Sequence, residues 1–483
     1  MERQRFEYDS NQRTNYSALT QITLTDTDIH WVVNAKQYSL SLNHIIGVAH
    51  TKDRYFTSCC GSNPLELAAM RIKQIPTGRW SIFAFNINLD ENGNVSKPTL
   101  REIVFSSASV DAENCVQTIR EALGPSDKKY LFVLNPFGGQ KKALKIYHKI
   151  VLPIIKIAGL EHLHELRETR YVNHASEIAR DLDYTKYKVI ASISGDGVFH
   201  EIVHGLLSRP DWELAKDLPI ATIGGGTANG IGKNLDLEYQ ELATLAILKG
   251  KTCKFDVMAV IQNSKITYSH LSLTWGFVAD VDIESEKWRA IGQIIDFRHY
   301  KGKLYMLPKE NASDYVNVDA NVTQMFHGPS CKYISINNDS YTTWPIQIET
   351  LNVPWIATDF IACPSTRIDN GFMDVVYTTE MNRSGALSCV IDTERGMHMT
   401  VDKVKHEKVV AFVLDPHGHQ DSDSANLIEK DNILDLSGER IPYELVQVEC
   451  LPQILNIIVP DWNDRERWEK KFYKDFPKAN KLS

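Results

Sequence analysis

Residues 187–207 read Tyr187-Lys-Val-Ile-Ala-Ser-Ile-Ser-Gly-Asp-Gly-Val-Phe-His-Glu-Ile-Val-His-Gly-Leu-Leu207, and the hydrophobic period changes midway. Val189, Ile190, Ala191 and Ile193 form a short apolar run suited to a buried strand, whereas Val198, Phe199, Ile202, Val203, Leu206 and Leu207 recur at helical spacing. A strand therefore meets a helix across Ser194-Gly195-Asp196-Gly197. Glycines on either side of the acid allow a tight turn and close approach of a ligand, and free N–H groups at a helix start favour a phosphate. An aspartate beside that anion repels it unless it holds a metal or takes a proton from an attacking hydroxyl. The residues leave both roles open for Asp196.

Upstream, an apolar strand over 129–134 runs into Asn135-Pro136-Phe137-Gly138-Gly139, followed by a helical pattern from Lys141 with Ala143, Leu144, Ile146, Tyr147 and Ile150 on its buried stripe. Pro153 predicts a new segment. A strand over 163–167 leads to Thr169-Arg170, and 175–182 reads as a helix. Downstream, an apolar strand over 219–223 ends in Gly224-Gly225-Gly226-Thr227-Ala228-Asn229-Gly230. Strands alternating with helices predict a parallel sheet covered on both faces. Its carboxyl edge, where ligands bind in such sheets, then collects three glycine loops. A single glycine loop is more often a plain tight turn; three along one edge favour a phosphate site. None carries the Lys-Ser/Thr pair of a P-loop or the spaced glycines of a dinucleotide fingerprint.

Toward the N-terminus, short strands over 22–24, 31–33, 45–48, 80–85 and 103–105 precede a helix over 111–123 with Asp111 as its cap. That is the pattern of a pleckstrin-homology-like domain, either a headgroup- or protein-binding module or a support without a ligand. From Lys254 onward the chain reads as strands without regular helices, over 256–261, 265–273, 331–336, 355–362, 373–377, 409–414 and 445–448. Segments 310–330 and 417–431 read as insertions, and the tail from Asp461 as an amphipathic helix packed on the protein's own surface. The expected fold class is α/β plus β: a pleckstrin-homology-like domain (1–125), a phosphate-binding α/β lobe (126–250), a mostly antiparallel β-sandwich lobe (251–460) and a charged tail (461–483), with the active site between the two lobes.

With 483 residues the length suggests about three domains. Hydrophobic and charged fractions of 43% and 24% are those of an ordinary globular chain, and a net charge of -8 argues against a nucleic-acid partner. Eight cysteines, scattered apart from Cys59-Cys60, show no metal-ligand spacing and no disulfide framework, so no protein metal site is expected and the compartment reads as reducing. Residues 1–7 lack the apolar core of a signal peptide, and no window approaches the roughly 20 apolar residues of a membrane span. Neither end carries a lipidation signal. Cytoplasmic location with peripheral association to intracellular or plasma membranes is the expectation.

These motifs resemble the sphingoid-base (sphingosine) kinases within the diacylglycerol-kinase-like fold. Ser194-Gly195-Asp196-Gly197 with His200-Glu201 and Gly205-Leu206, and Asn135-Pro136-x-Gly138-Gly139, are similar to that family's phosphate loops. The run from Ser272 through Trp275-Gly276 to Asp280-Val281-Asp282-Ile283-Glu284-Ser285-Glu286-Lys287 is close to the sphingosine-kinase version in particular, and Arg395-Gly396-Met397-His398, Val409-Val410-Ala411-Phe412 and Gly438-Glu439 extend the likeness. The resemblance covers about residues 128–460. It implies transfer of the ATP γ-phosphate to the primary hydroxyl of a sphingoid base, with Asp196 as general base. Asn135, Gly138, Gly139, Thr169, Ser194, Gly195, Gly197, Gly226, Thr227, Asn229, Arg289, Gly438 and Glu439 would hold the nucleotide, and Asp282, Ser272 and Glu286 the lipid. Asp282 matches the acid that pairs with the lipid amine, as the ammonium of a sphingoid base requires. Mg2+ is expected with ATP.

The chain departs from the family pattern at Gly224-Gly225, Ala228, Gly230, His204 and Gln140. A second arginine after Arg289 has no clean counterpart, Ile295 standing near its position. Asn370-Gly371 and Ser437-Gly438 replace the usual Asp-Gly pairs. A ceramide or diacylglycerol kinase, a weakly catalytic lipid-binding module and an NAD kinase remain the alternatives; the 280–287 segment speaks against the last.

Overall fold

A computed structural model describes residues 13–16, 19–33, 36–51, 63–70, 72–73, 79–90, 95–106, 109–124, 126–138, 141–226, 229–263, 265–276, 278–279, 303–308, 329, 342–343, 345, 347–381, 383–417 and 432–461. Its spine is a sheet of 15 strands. Four of them are parallel, in the order His164–Glu168, Lys129–Leu134, Tyr187–Ser194 and Ile220–Gly224. Leu131 to Leu134 and Val189 to Ile193 are buried throughout, as continuous apolar runs must be when helices cover both faces. The helix Asp196–Leu207 lays Val198, Phe199, Ile202, Val203, Leu206 and Leu207 into this core. Register aligns the strand ends: Ile193 lies opposite Leu134, and Ser194 opposite Gly224. The three glycine loops therefore leave the sheet at one level.

The sheet continues past the parallel strands. Ile220 pairs with Ile457 of the long strand Val446–Ile458, and from there the pairing turns antiparallel through Lys405–Asp415, Met373–Thr378, Gln347–Leu351 and Ser272–Trp275 to Leu434–Leu436 and Glu439–Ile441. The α/β and β parts thus share one sheet.

Toward the N-terminus, a five-stranded and a three-stranded sheet close over Trp31, Trp80 and Phe105, with Ala112, Val116 and Ile119 of the helix Ser109–Ala122 on the same core. The helix begins two residues before the expected cap, so Asp111 lies inside it. This unit docks tightly on the helical layer of the parallel sheet. A Cβ on Gly47 would fall 2.3 Å from the Ile157 carbonyl oxygen, so only glycine lets the strand Ile45–Thr51 pass the helix Leu152–Ala158 this closely. Ile46, Ala49 and Phe83 meet Ile154, Ile157 and Leu245 there, and Lys249 Nζ donates to the Leu42 carbonyl at 2.6 Å.

Several expectations need correction. Pro153 does not start a segment: Ala143–Ile146, a π-turn over Tyr147–Val151 and Leu152–Ala158 form one continuous helical run. The Leu152 N–H reaches back to the Tyr147 carbonyl, a wider bond that accommodates a residue lacking its own N–H. The strand expected over 265–273 breaks at His270-Leu271, because Lys265–Ser269 pairs with Thr252–Gln262 while Ser272–Trp275 pairs with Gln347–Leu351. The strand expected over 355–362 is a hairpin, Trp355–Ala357 turning through exposed Thr358 and Asp359 into Phe360–Ile361. A regular helix, Arg383–Asp392, interrupts the β region; Gly385 and weak apolar periodicity conceal it in the sequence. The strand expected over 331–336, nearly all of the two insertions and the tail beyond Asp461 lie outside the described residues. Among the described residues, no helix is long and apolar enough to cross a membrane.

Candidate active site

The strand Tyr187–Ser194 ends in Gly195, whose φ of -77° and ψ of -174° are extended, and Asp196 opens the helix. Neither Gly195 nor Gly197 is therefore demanded by a left-handed backbone. A Cβ on Gly197 would meet nothing within 4 Å among the described residues. Among the described residues, space is open above this turn, as a site that admits a ligand requires.

The three loops are fastened to one another. In the first, Asn135 Oδ1 accepts from the N–H groups of Phe137 and Gly138 at 2.9 and 3.1 Å. A Cβ on Gly138 would fall 2.9 Å from Asn135 Nδ2 and 3.6 Å from Ser194 Oγ, which sets the first loop against the second. In the third, the Gly225 N–H donates to the Ser194 carbonyl at 2.9 Å and Gln240 Nε2 to the Gly224 carbonyl at 2.8 Å. Asn229 binds Gly226 twice, accepting from its N–H at 3.3 Å and donating to its carbonyl at 3.1 Å. Gly230, one of the departures, is sterically required: a Cβ there would lie 2.7 Å from the Ile356 carbonyl oxygen.

Asp196 sits where these loops converge. Its Oδ2 accepts from the Gly230 N–H at 2.8 Å and its Oδ1 from the Ile231 N–H at 3.3 Å. Burial raises its pKa to about 6, against the opposing pull of those two N–H groups. The carboxyl thus titrates near neutrality, in the range where a proton acceptor works. His200 and His204, one and two turns along the same helix, are held neutral by burial, each with its pKa lowered to about 4.

Beside the first loop a cleft of ≈ 680 Å³ opens, lined by Pro136, Phe137, Arg167, Thr169, Arg170 and His174 among others. Thr169 is buried and its N–H donates to the Leu134 carbonyl at 2.8 Å, so it stands at the mouth of the first loop. The wall formed by the helix His174–Arg180 is tied to the Asp196 helix by Glu201, whose Oε2 accepts from the Ala175 N–H at 2.9 Å. Gly205 lets the two helices touch, since a Cβ there would lie 2.3 Å from the Ser176 carbonyl oxygen. The sequence places Glu201 and Gly205 in a motif without a role. Their i, i+4 spacing on one helix face was the available signal.

The remaining expected residues divide. Ser272 is buried in its strand and linked to the turn at Ser437, whose N–H donates to the Ser272 carbonyl at 2.9 Å. Gly438, at φ +87°, makes that turn, with its N–H on Asp435 Oδ1 at 2.9 Å. Glu439 is exposed, and its charge helps, after burial, to raise the pKa of Glu201. Trp275, in the same motif as Ser272, is fully buried and donates from Nε1 to the Tyr443 hydroxyl at 3.0 Å. Gly139, Thr227, Asp282, Glu286 and Arg289 lie outside the described residues, as do Phe277 and Glu284.

Residues 129–260 match the family described as the diacylglycerol kinase catalytic domain. The chain is 34% identical over 338 residues to sphingosine kinase 1 of Arabidopsis thaliana, covering 65% of this chain and 68% of that one. It is 29% identical over 363 residues to sphingosine kinase 1 of Rattus norvegicus, covering 68% of this chain and 91% of the relative. Among solved structures, a putative diacylglycerol kinase from Bacillus anthracis aligns over 69% of this chain and 98% of its own, with 16% identity and a TM-score of 0.48.

Proposed function

The chain belongs to the sphingosine kinase family, and on that premise we propose that it transfers the γ-phosphate of ATP to the primary hydroxyl of a sphingoid long-chain base. The observation that carries this reading is Asp196: a buried carboxyl with a pKa near 6, at the end of a parallel strand, among three glycine loops with open space over Gly197. In this reading the ionised carboxylate takes the hydroxyl proton as the oxygen attacks the γ-phosphorus. Phosphoryl transfer needs little else from the protein beyond positioning and charge neutralisation.

ATP fits the loop edge. Phe137, Gly138 and Gly226 already direct N–H groups at side-chain oxygens of Asn135 and Asn229. A phosphate oxygen would take the place of those amide oxygens and leave each asparagine as a donor. Thr169 and Arg170 then border the cleft available to the rest of the nucleotide. Magnesium enters as MgATP, the substrate. The phosphates it bridges carry the ion. Asp282, Glu286 and Arg289 keep their proposed lipid and phosphate roles on the resemblance alone. The pleckstrin-homology-like character of residues 1–125, the division into lobes, and a cytoplasmic protein touching membranes peripherally are proposed on the sequence pattern.

The test is an ATP-transfer screen with labelled MgATP over sphingoid bases, ceramide and diacylglycerol. The expected result is label on the sphingoid bases, lost in Asp196→Asn. Label on a neutral lipid alone, or none on any lipid, would overturn the assignment.

A further inference from the structure

Away from the loop edge, three side chains of different chemistry converge within the antiparallel part of the sheet. Cys363 follows the hairpin strand Phe360–Ile361, Asp374 lies in Met373–Thr378 and His406 in Lys405–Asp415. The register pairs Asp374 with Lys408 and Val376 with His406, which makes Asp374 and His406 diagonal neighbours on one sheet face. One donor atom from each of the three lies within 4.8 Å of the other two. Cys363 Sγ is 3.7 Å from His406 Nε2, and that nitrogen is 2.5 Å from Asp374 Oδ1. Cys363 and Asp374 are 0% exposed. Lys408 Nζ also binds Asp374 Oδ1, at 2.7 Å, while among the described residues the buried Asp374 Oδ2 has no hydrogen-bond partner. A buried carboxylate oxygen left unpaired is costly and calls for a ligand.

We propose that Cys363 Sγ, His406 Nε2 and Asp374 Oδ2 bind one Zn2+ ion, at a site separate from the kinase chemistry. Thiolate, imidazole and carboxylate are zinc donors, whereas magnesium and calcium take oxygen alone. Zinc bonds of about 2.3 Å to sulfur and about 2.0 Å to nitrogen, at the tetrahedral angle, set the two donors about 3.5 Å apart, close to the separation already present. One thiolate and one carboxylate neutralise the ion. Binding releases the thiol proton and the proton that Nε2 shares with Asp374 Oδ1 to solvent, so that hydrogen bond gives way as the carboxylate turns Oδ2 to the ion. Lys408, whose side chain is 26% exposed, stays on Oδ1 as the outer partner that orients the carboxylate. A fourth position is left for water or for Ser365 Oγ, 3.3 Å from the sulfur. The ion would fasten the loop after Ile361 to the paired strands carrying Asp374 and His406.

The full chain, stripped with a chelator, is titrated with Zn2+ and with Co2+ and followed by absorbance and thermal unfolding. The expected result is one equivalent bound, a thiolate-to-cobalt charge-transfer band, and a folded-to-unfolded ratio raised about 100-fold when free zinc is 100 times its Kd. Cys363→Ser and His406→Gln should lose the band, while Lys408→Gln, which leaves every donor in place, should keep it. No band in the wild-type chain, which decides the matter even where a variant fails to fold, or a band that survives in both Cys363→Ser and His406→Gln, would overturn the site.

Discussion

Asp196, at the carboxyl edge of the parallel strands, and Asp256, inside the antiparallel strand Thr252–Gln262, have nearly the same local physics. Both are buried, both accept two backbone N–H bonds, and burial raises both to a pKa of about 6. Their surroundings differ. Asp256 takes the N–H groups of Gly371 and Gln453, each at 2.6 Å, and so ties two turns to its own strand. Asp196 takes two N–H groups from one neighbouring loop and, among the described residues, has open space beside it at Gly197. A perturbed pKa therefore marks a base only where a substrate can reach it.

The strongest way to break this comparison is to remove each charge in turn. Asp196→Asn should lower turnover on sphingoid bases by about 10²–10⁴-fold, the usual worth of a positioned base. Asp256→Asn should leave turnover per folded molecule close to wild type. Equal losses in both would mean that Asp196 is only another tie between loops.

Stability should show the reverse emphasis. Asp256→Asn places an amide donor against a backbone N–H and should cost about 1–3 kcal/mol in denaturant melts. Its raised folded pKa also gives pH a sign. Stability linked to the protonated form is complete below the unfolded pKa of about 3.9 and is lost as pH rises through about 6. Melts of the wild type between those values should therefore fall more steeply with pH than melts of Asp256→Asn. The smallest expected effect is that of Gly197→Ala. With nothing near the added methyl, stability should hold or rise by about 0.5–1 kcal/mol, since alanine suits a helix better, while KM for MgATP rises several-fold. An unchanged KM would show that the open space serves no ligand.

Much of the loop edge is readable from the sequence, because apolar runs such as Leu131 to Leu134 and 189–193 can pack in few ways and each runs into a glycine-bearing loop. What escapes is set by distant partners. Nothing near Gly230 in sequence announces the Ile356 carbonyl that forbids a side chain there, and the Pro153 helix survives through a π-turn that no periodicity reveals. Cys363, Asp374 and His406 show no ligand spacing because strand pairing, not sequence proximity, assembles them. Asp282, Glu286 and Arg289 rest on motif likeness alone.

The most direct measurement is the pH dependence of kcat/KM for phosphoryl transfer from MgATP to a sphingoid base, in wild type and Asp196→Asn. The wild-type value should rise about tenfold per pH unit below a pKa near 6 and level off above it, while the residual rate of Asp196→Asn stays flat through that range. An Asp196→Asn enzyme that keeps the wild-type rate, or the same rise through pH 6, would contradict the assignment of Asp196 as the base.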